Sequence, residues 1–181
     1  MKNYLFIFLF LFLFINCDNH SFTSPSSDEI NQIIRIVFEH DLEFKTYHVN
    51  LKLVKIDVTF NDSINKIRSG KINFKRLMDL SKNTTFKRTD SLYLKFQNEN
   101  IQKLNIDKSE LIKLSKSKKI NSIYDENNIS IPIFSSDNKS AYIEVTHNTE
   151  KHGGNGSSFY YILRKINDKW KIIDSGLIWI T

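Results

Sequence analysis

The chain has 181 residues, of which 40% are hydrophobic and 25% are charged. This balance is typical of a folded globular protein and excludes an intrinsically disordered chain, and the length fits a single domain. The net charge of +6 favours anionic partners, such as lipid headgroups or an acidic protein, without indicating any particular fold.

The N-terminus carries the pattern of an export signal. Lys2 provides a positive charge, and an uninterrupted apolar run follows from Tyr4 to Ile15. A membrane-spanning helix needs about 20 apolar residues, so this run is too short to span a bilayer and has the length of a signal-peptide core. We therefore predict a signal peptide over residues 1–16.

Cys17 is the only cysteine of the chain, and it directly follows this run in the string Leu13-Phe14-Ile15-Asn16-Cys17. The string resembles the lipobox of bacterial lipoproteins. The resemblance implies that the leader is cut before Cys17, that diacylglycerol is joined to the thiol, and that a fatty acid such as palmitate is added to the new amino terminus. It also implies a location in the cell envelope, with the inner membrane, the outer membrane and the cell surface all open. The alternative is an ordinary secretory leader, which would leave a free thiol.

The segment after the cysteine is polar and rich in serine, and Pro25 interrupts it. This composition is typical of a flexible linker. We predict a lipidated tether over residues 17–27 and one folded domain over residues 28–181.

The domain begins with an amphipathic helix. Ser26 and Glu29 have the spacing of a capping box. Six apolar residues then follow at helical spacing, namely Ile30, Ile33, Ile34, Val37, Phe38 and Leu42. From Tyr47 to Phe60 the apolar residues alternate and then change phase, which predicts one long strand with a bulge or two short strands.

The middle of the chain shows weaker patterns. The spacing of Phe74, Leu77 and Met78 predicts a short helix within Ile72–Leu80, and alternating apolar residues over Leu92–Phe96 predict a strand. Asp107 and Glu110 have a spacing similar to that of a capping box, which predicts another short helix.

The final third of the chain is rich in strand-forming residues. Four β-rich runs, separated by turn-forming segments, predict an antiparallel meander, and they cover Ile129–Phe134, Ala141–Val145, Phe159–Ile166 and Trp170–Ile180. Helices early and strands late predict the α+β class, in which the N-terminal amphipathic helix packs on a curved, mainly antiparallel sheet.

The closing hairpin, Tyr160–Lys165 followed by Asn167–Ile172, resembles the end of the NTF2-like fold. The resemblance covers roughly the last 50 residues of the chain. It implies a cone of helices against a curved sheet. Members of that group include enzymes and binding modules, so the resemblance does not assign an activity.

The segment between the β-rich runs Ala141–Val145 and Phe159–Ile166 contains the candidate binding loop. His147, Glu150 and His152 lie close together in it and could hold a zinc ion if the loop folded back on itself, although the usual state of such a loop is solvated. Glycines follow at Gly153, Gly154 and Gly156. They favour a flexible hairpin loop over a phosphate-binding loop, because a strand follows them and not a helix.

Five aromatic residues of the meander allow two interpretations. They either fill the core or enclose a ligand cavity on the concave face of the sheet, and they are Tyr142, Phe159, Tyr160, Trp170 and Trp179.

No catalytic constellation and no cofactor motif stands out in the sequence. Ser157 and Ser158 are not in a nucleophile elbow. A lysine-rich stretch over residues 113–119 has no interleaved aromatic residues, and an exported protein rarely meets nucleic acid, so nucleic acid is not an expected partner. We expect a membrane partner through Cys17 and a protein or glycan partner at the envelope.

These observations favour a non-enzymatic binding or accessory lipoprotein. Two alternatives stay open: an immunity or inhibitor lipoprotein that neutralises an acidic partner, and a metal-dependent envelope hydrolase centred on His147 and His152.

Overall fold

A computed structural model describes residues 22–41, 51–60, 70–82, 85–101, 109, 113, 126–148 and 156–180. Within these residues the helices are α1 (Ser27–His40), α2 (Phe74–Leu80) and α3 (Ser91–Asn100), and a 3-10 turn at Arg88–Asp90 precedes α3. The strands are β1 (Leu51–Val54), β2 (Asp57–Thr59), β3 (Lys71–Asn73), β4 (Glu126–Ser130), β5 (Ile133–Phe134), β6 (Ser140–Asn148), β7 (Gly156–Ile166) and β8 (Lys169–Ile180). None of the helices in this part of the chain is long and apolar enough to cross a membrane.

Helix α1 begins where its cap was predicted. The hydroxyl of Ser26 accepts a hydrogen bond from the backbone N–H of Glu29 at 3.2 Å, which satisfies one of the free donors of the first turn. Asp28 and Glu29 add negative charge at the positive end of the helix dipole. The predicted apolar stripe, from Ile30 to Phe38, is buried. The predicted last member of that stripe, Leu42, lies outside the described residues.

The strands confirm the predicted α+β class and the mainly antiparallel sheet. The larger sheet has the order β1-β4-β6-β7-β8, and β5 also pairs with β6. The pairs from β4 to β8 are antiparallel, whereas β1 runs parallel to β4. Strands β2 and β3 form a separate parallel pair. The phase change predicted between Tyr47 and Phe60 therefore separates two short strands that belong to different sheets.

The hairpin between β7 and β8 turns on Asn167 and Asp168. Both residues have positive φ angles, 51° and 59°, and Ile166 pairs with Lys169 on either side of them. A two-residue turn with two positive φ angles matches the right-handed twist of paired strands, and asparagine and aspartate tolerate this conformation better than most residues. The predicted closing meander is confirmed.

Alternate residues of β6 face two different buried clusters. Ala141, Ile143 and Val145 belong to the cluster that contains the apolar face of α1. Tyr142 belongs to the other cluster, together with residues of β2, α2 and α3 such as Val58. The central strand thus has apolar neighbours on both faces.

The strand predicted over Leu92–Phe96 is wrong, since these residues lie in α3. Leu92 is 63% exposed, whereas Leu94 is fully buried, so the two residues do not share a face. The buried residues of this region include Tyr93, Gln97 and Ile101, which recur every four residues as on one face of a helix.

Two further boundaries differ from the predicted ones. Residues 71–73 form β3 before α2 begins, so the predicted helix over Ile72–Leu80 starts at Phe74. The predicted run Ile129–Phe134 is split at Pro132 into β4 and β5, in keeping with a residue that has no N–H for the ladder. Of the helix predicted after Asp107, the structure describes Ser109 and Lys113 alone, and the signal peptide and Cys17 also lie outside the described residues.

Part of the predicted tether contacts the domain. The ring of Phe22 lies 5.3 Å from that of Tyr93 and 5.7 Å from that of Phe96, measured between centroids. The hydroxyl of Tyr93 donates to the backbone carbonyl of Thr23 at 3.0 Å. The packed part of the chain therefore reaches back to Phe22.

Candidate functional site

An open cleft of about 550 Å³ lies on one face of the larger sheet. We call it the sheet cleft. Its lining residues come from β1, β3, β4, β6, β8 and adjoining turns, and they are Val54, Lys55, Gly70, Lys71, Asn128, Thr146, Asn148 and Trp179. This volume falls within the range of roughly 300–1,000 Å³ that is usual for small-molecule sites.

A row of side chains across four strands forms one part of this site. Asn128 of β4 pairs with Thr146 of β6, Thr146 pairs with Ser158 of β7, and Ser158 pairs with Trp179 of β8. Residues that are directly opposite on neighbouring strands have side chains on the same face, so the pairing register places all four together. The hydroxyl oxygens of Thr146 and Ser158 are 2.9 Å apart, within hydrogen-bond distance.

Asn128 lines the cleft and carries a buried acceptor. Its side-chain Oδ1 atom is buried and has no hydrogen-bond partner among the described residues. Leaving a buried acceptor without a donor costs about 1–3 kcal/mol.

Two lysines bring positive charge to the cleft. Lys55 forms an ion pair with Asp57, with 2.9 Å between Nζ and Oδ1. Lys71 is exposed in β3, and in the described part of the chain no ion pair to it is found. Of the two, Lys71 is therefore the one whose charge favours an anion at the opening.

Gly156 allows close packing beside the cleft, because it has no side chain. A Cβ atom at this position would lie 2.7 Å from the carbonyl oxygen of His147, 3.0 Å from Cη2 of Trp179 and 3.1 Å from Oδ1 of Asn148. Trp179 and Asn148 line the cleft, so their positions depend on the missing side chain. The sequence placed Gly156 in a flexible loop, but it is the first residue of β7.

Glu144 lies beside the cleft and is buried. Its Oε2 accepts from the backbone N–H of Gly70 at 3.0 Å, and its Oε1 accepts from the hydroxyl of Tyr142 at 2.8 Å. Gly70 has a φ of +80°, which favours glycine at the turn that delivers this N–H. Burial raises the pKa of Glu144, and the two hydrogen bonds partly offset that effect.

Burial also raises the pKa of Tyr142, and the neighbouring Glu144 carboxylate adds to the effect. The ring of Tyr142 stacks on that of Tyr160, with 6.1 Å between centroids and 12° between planes. Glu144 thus has both oxygens engaged by protein donors.

His147 lies on the opposite face, in a buried polar cluster with Asp41, Asn127 and Tyr161. Its Nδ1 is 2.6 Å from Oδ1 of Asn127, and its Nε2 is 3.3 Å from Oδ2 of Asp41. The hydroxyl of Tyr161 donates to the same carboxylate oxygen at 2.8 Å, and burial together with the Asp41 charge raises the pKa of Tyr161.

Asp41 needs these partners because it caps the C-terminal end of α1, where the helix dipole disfavours a negative charge. Both ring nitrogens of His147 face protein oxygen atoms, which leaves neither for a ligand in this arrangement. The sequence placed His147 in a loop, whereas it is a fully buried residue near the end of β6.

The remaining members of the predicted binding loop, Glu150, His152, Gly153 and Gly154, lie outside the described residues. Within the described ranges, no group of three or more histidine, cysteine, aspartate and glutamate residues could hold a metal ion.

The five aromatic residues proposed for a cavity do not all lie on the same side of the sheet. Trp179 lines the sheet cleft. Tyr142 and Tyr160 stack on the same face, whereas Trp170 and Phe159 contribute to the cluster around α1. Neighbouring residues of a strand point to opposite faces, so these five residues divide between the two sides of the sheet. A ligand cavity among them stays a prediction.

Several residues of the cleft were not singled out from the sequence. Asn128 and Lys71 lie in strands whose register depends on partners far away in the chain. The alternation within Ser140–Asn148 could have indicated that Thr146 and Glu144 share a face with Tyr142.

No protein-family model matches the chain, and neither a curated protein nor a solved structure shows significant similarity to it.

Proposed function

We propose that this chain is an envelope lipoprotein anchored by acyl groups on Cys17, and that it acts as a non-enzymatic binding module through the sheet cleft. The observation that carries the proposal is the row from Asn128 to Trp179. It brings the side chains of Asn128 and Thr146 and a half-buried indole to the lining of one cleft, with the buried hydroxyl of Ser158 supporting that of Thr146. A few convergent polar groups beside an aromatic side chain are typical of a small-molecule binding site.

The chemistry of the lining supports binding more than catalysis. The lining side chains offer amides, a hydroxyl, ammonium groups and an indole, which hold a ligand without exchanging protons near neutral pH. The neighbouring acid, Glu144, already accepts hydrogen bonds at both oxygens.

The membrane anchor places this module close to a surface. Five residue steps separate Cys17 from Phe22, the first described residue, and they span at most about 18 Å when fully extended. Phe22 would then stay within about two Debye lengths of anionic headgroups at physiological salt.

The NTF2-like cone, in which α1 packs on a curved sheet, is part of the same proposal. The β7–β8 ladder has two register shifts, between Ser158 and Phe159 and between Ile162 and Leu163. Bulges of this kind increase the local twist and bend a strand. They favour a curved sheet with the cleft on one of its faces.

A fluorescence titration tests the binding function. The full chain, purified from membranes in detergent and carrying Trp170→Phe, retains Trp179 as its only tryptophan. We expect a saturable change in Trp179 fluorescence with one of two probe mixtures: neutral and carboxylated oligosaccharides of two to four sugars, or short peptides of mixed charge.

The control is Leu177→Ala in the same background. Leu177 is 51% exposed on the same strand and pairs with Phe159, so it lies on the face opposite Trp179. This variant should keep the fluorescence response, whereas Asn128→Leu should weaken it. The absence of a saturable change with both mixtures at about 10 mM, which detects a Kd near ~1 mM, contradicts the proposal.

A further inference from the structure

We infer that the sheet cleft takes a carboxylated oligosaccharide, with the indole of Trp179 under a sugar ring, Asn128 on its hydroxyl groups and Lys71 on its carboxylate. The inference rests on the proposed binding function and names the class of ligand. It follows from the three kinds of group that the cleft brings together.

The indole supplies a flat apolar surface. Trp179 is half-buried at one side of the cleft, and its position is fixed by the close approach to Gly156, where a Cβ would lie 3.0 Å from Cη2. A pyranose ring has an apolar face of C–H groups beside a rim of hydroxyl groups. It can therefore cover an aromatic ring and still present donors sideways.

Asn128 lines the cleft where the rim of such a ring would lie. Its side chain is a carboxamide, with an oxygen that is buried without a partner in the described part of the chain and an amide nitrogen that donates hydrogen bonds. A sugar hydroxyl both donates and accepts, as does a carboxamide, and the hydroxyl of Thr146 next to Asn128 extends the same row.

The two lysines of the cleft favour a ligand that carries one negative charge. Lys55 shares its ammonium with Asp57, and Lys71 is exposed at the same opening. A lysine ammonium has three donors, so Lys55 can keep Asp57 and still contact a ligand. Charge-assisted hydrogen bonds from ammonium to carboxylate are roughly twice as strong as neutral ones.

A singly charged carboxylate matches this opening more closely than a phosphate of higher charge, because Lys55 already shares its charge with Asp57. Phosphate sites commonly use a helix N-terminus, a nest of backbone N–H groups or an arginine. The described lining holds neither a helix terminus nor an arginine, and the backbone N–H of Gly70 is already bonded to Glu144.

The test compares four probes on the full chain in the Trp170→Phe background. They are trigalacturonic acid, a muramyl disaccharide, a neutral galactose trimer and galactose 1-phosphate. We expect at least one carboxylated probe to bind about tenfold more tightly than the neutral trimer. The first two probes separate a uronic acid source from a peptidoglycan source of the same carboxylate chemistry.

Two substitutions assign the contacts. Lys71→Gln should remove the tenfold preference and leave the affinity for the neutral trimer within about twofold. The matched control Lys171→Gln, at an exposed position of β8, should keep the preference. Asn128→Leu should weaken the carboxylated and neutral probes by the same factor, because it removes a hydroxyl contact that both share. Unchanged circular dichroism spectra establish that each variant is folded.

Each contrary result has a distinct meaning. Equal affinity for the neutral trimer, tightest binding of the phosphate, or a preference that survives Lys71→Gln would overturn the carboxylate assignment while leaving the binding function in place. A response to peptides alone overturns it in the same way. No response to any probe overturns both the assignment and the proposed function.

Discussion

Three carboxylates are buried among the described residues, and each is held by hydrogen-bond donors of the protein. Asp90 accepts from the backbone N–H and the hydroxyl of Ser136, Asp41 accepts from Tyr161, and Glu144 accepts from Tyr142 and Gly70. Burial of a charge without such partners would cost several kcal/mol, so these side chains tie distant segments together. The bond between Glu144 and Gly70, for example, joins two residues that are 74 positions apart in the chain.

Glu144→Gln tests how this carboxyl affects stability with pH. Burial raises the pKa of Glu144 in the folded chain, so the folded state holds the proton more tightly than the unfolded state does. The contribution of Glu144 to the free energy of unfolding therefore falls as pH rises from the unfolded pKa of about 4.3 through the raised folded pKa. It is constant below and above that window.

The measurement is urea unfolding of both proteins at several pH values from about 4 to 8, a range that brackets the ordinary glutamate pKa and a raised one. We expect the stability of the original chain relative to Glu144→Gln to decrease with pH. Glu99→Gln, at an exposed position of α3, serves as the control for the substitution. A difference between the two proteins that does not vary with pH contradicts the assignment.

At this scale the sequence indicated residues but not their roles. Trp179, Gly156 and His147 were all singled out, yet two lie at the sheet cleft and the third is buried behind it. Which face a strand residue occupies depends on the strand pairing register. Asn128 and Lys71 were missed because their significance comes from their neighbours across strands.

At the scale of elements, local signals predicted α1 and the β7–β8 hairpin, whereas α3 was taken for a strand. Ser26 and the asparagine–aspartate turn act on their immediate neighbours, so they can be recognised without tertiary contacts. In α3 the face that contacts the core contains Gln97, whose Oε1 accepts from the backbone N–H of Phe134. A polar residue at that buried position interrupts the pattern of apolar residues at helical spacing, from which a helix would be predicted.

Substitutions at Leu92 and Leu94 distinguish the helix from the predicted strand. Leu94 is fully buried and Leu92 is 63% exposed. Leu94→Ala should lower the free energy of unfolding by about 2–5 kcal/mol, and Leu92→Ala should change it by no more than about 0.5 kcal/mol. Urea denaturation measures both values. Similar losses for the two variants would favour a strand, in which residues two apart share a face.

At the scale of the whole molecule, the proposed anchor can be tested by removing Cys17. Cys17→Ser removes the acceptor of the proposed diacylglycerol, so the chain should move from the membrane fraction to the soluble fraction. One acyl chain gives marginal membrane binding and two or more hold stably, so partial release is not expected.

The measurement is the distribution of the protein between the two fractions, together with the mass of the mature amino terminus. A Ser21→Ala variant, four residues further along the chain, is the matched control and should remain in the membrane fraction. An unmodified amino terminus elsewhere than Cys17 contradicts the lipid anchor.

The pairing of β1 with β4 has a consequence for how the chain folds. Leu51 lies opposite Asn127, whereas the β6–β7 hairpin closes between Asn148 and Gly156. Closing a long loop costs more entropy than closing a short one, so the C-terminal meander can form first and β1 joins its edge later. Val54 of β1 lines the sheet cleft, so we expect the cleft to be completed at a late stage of folding.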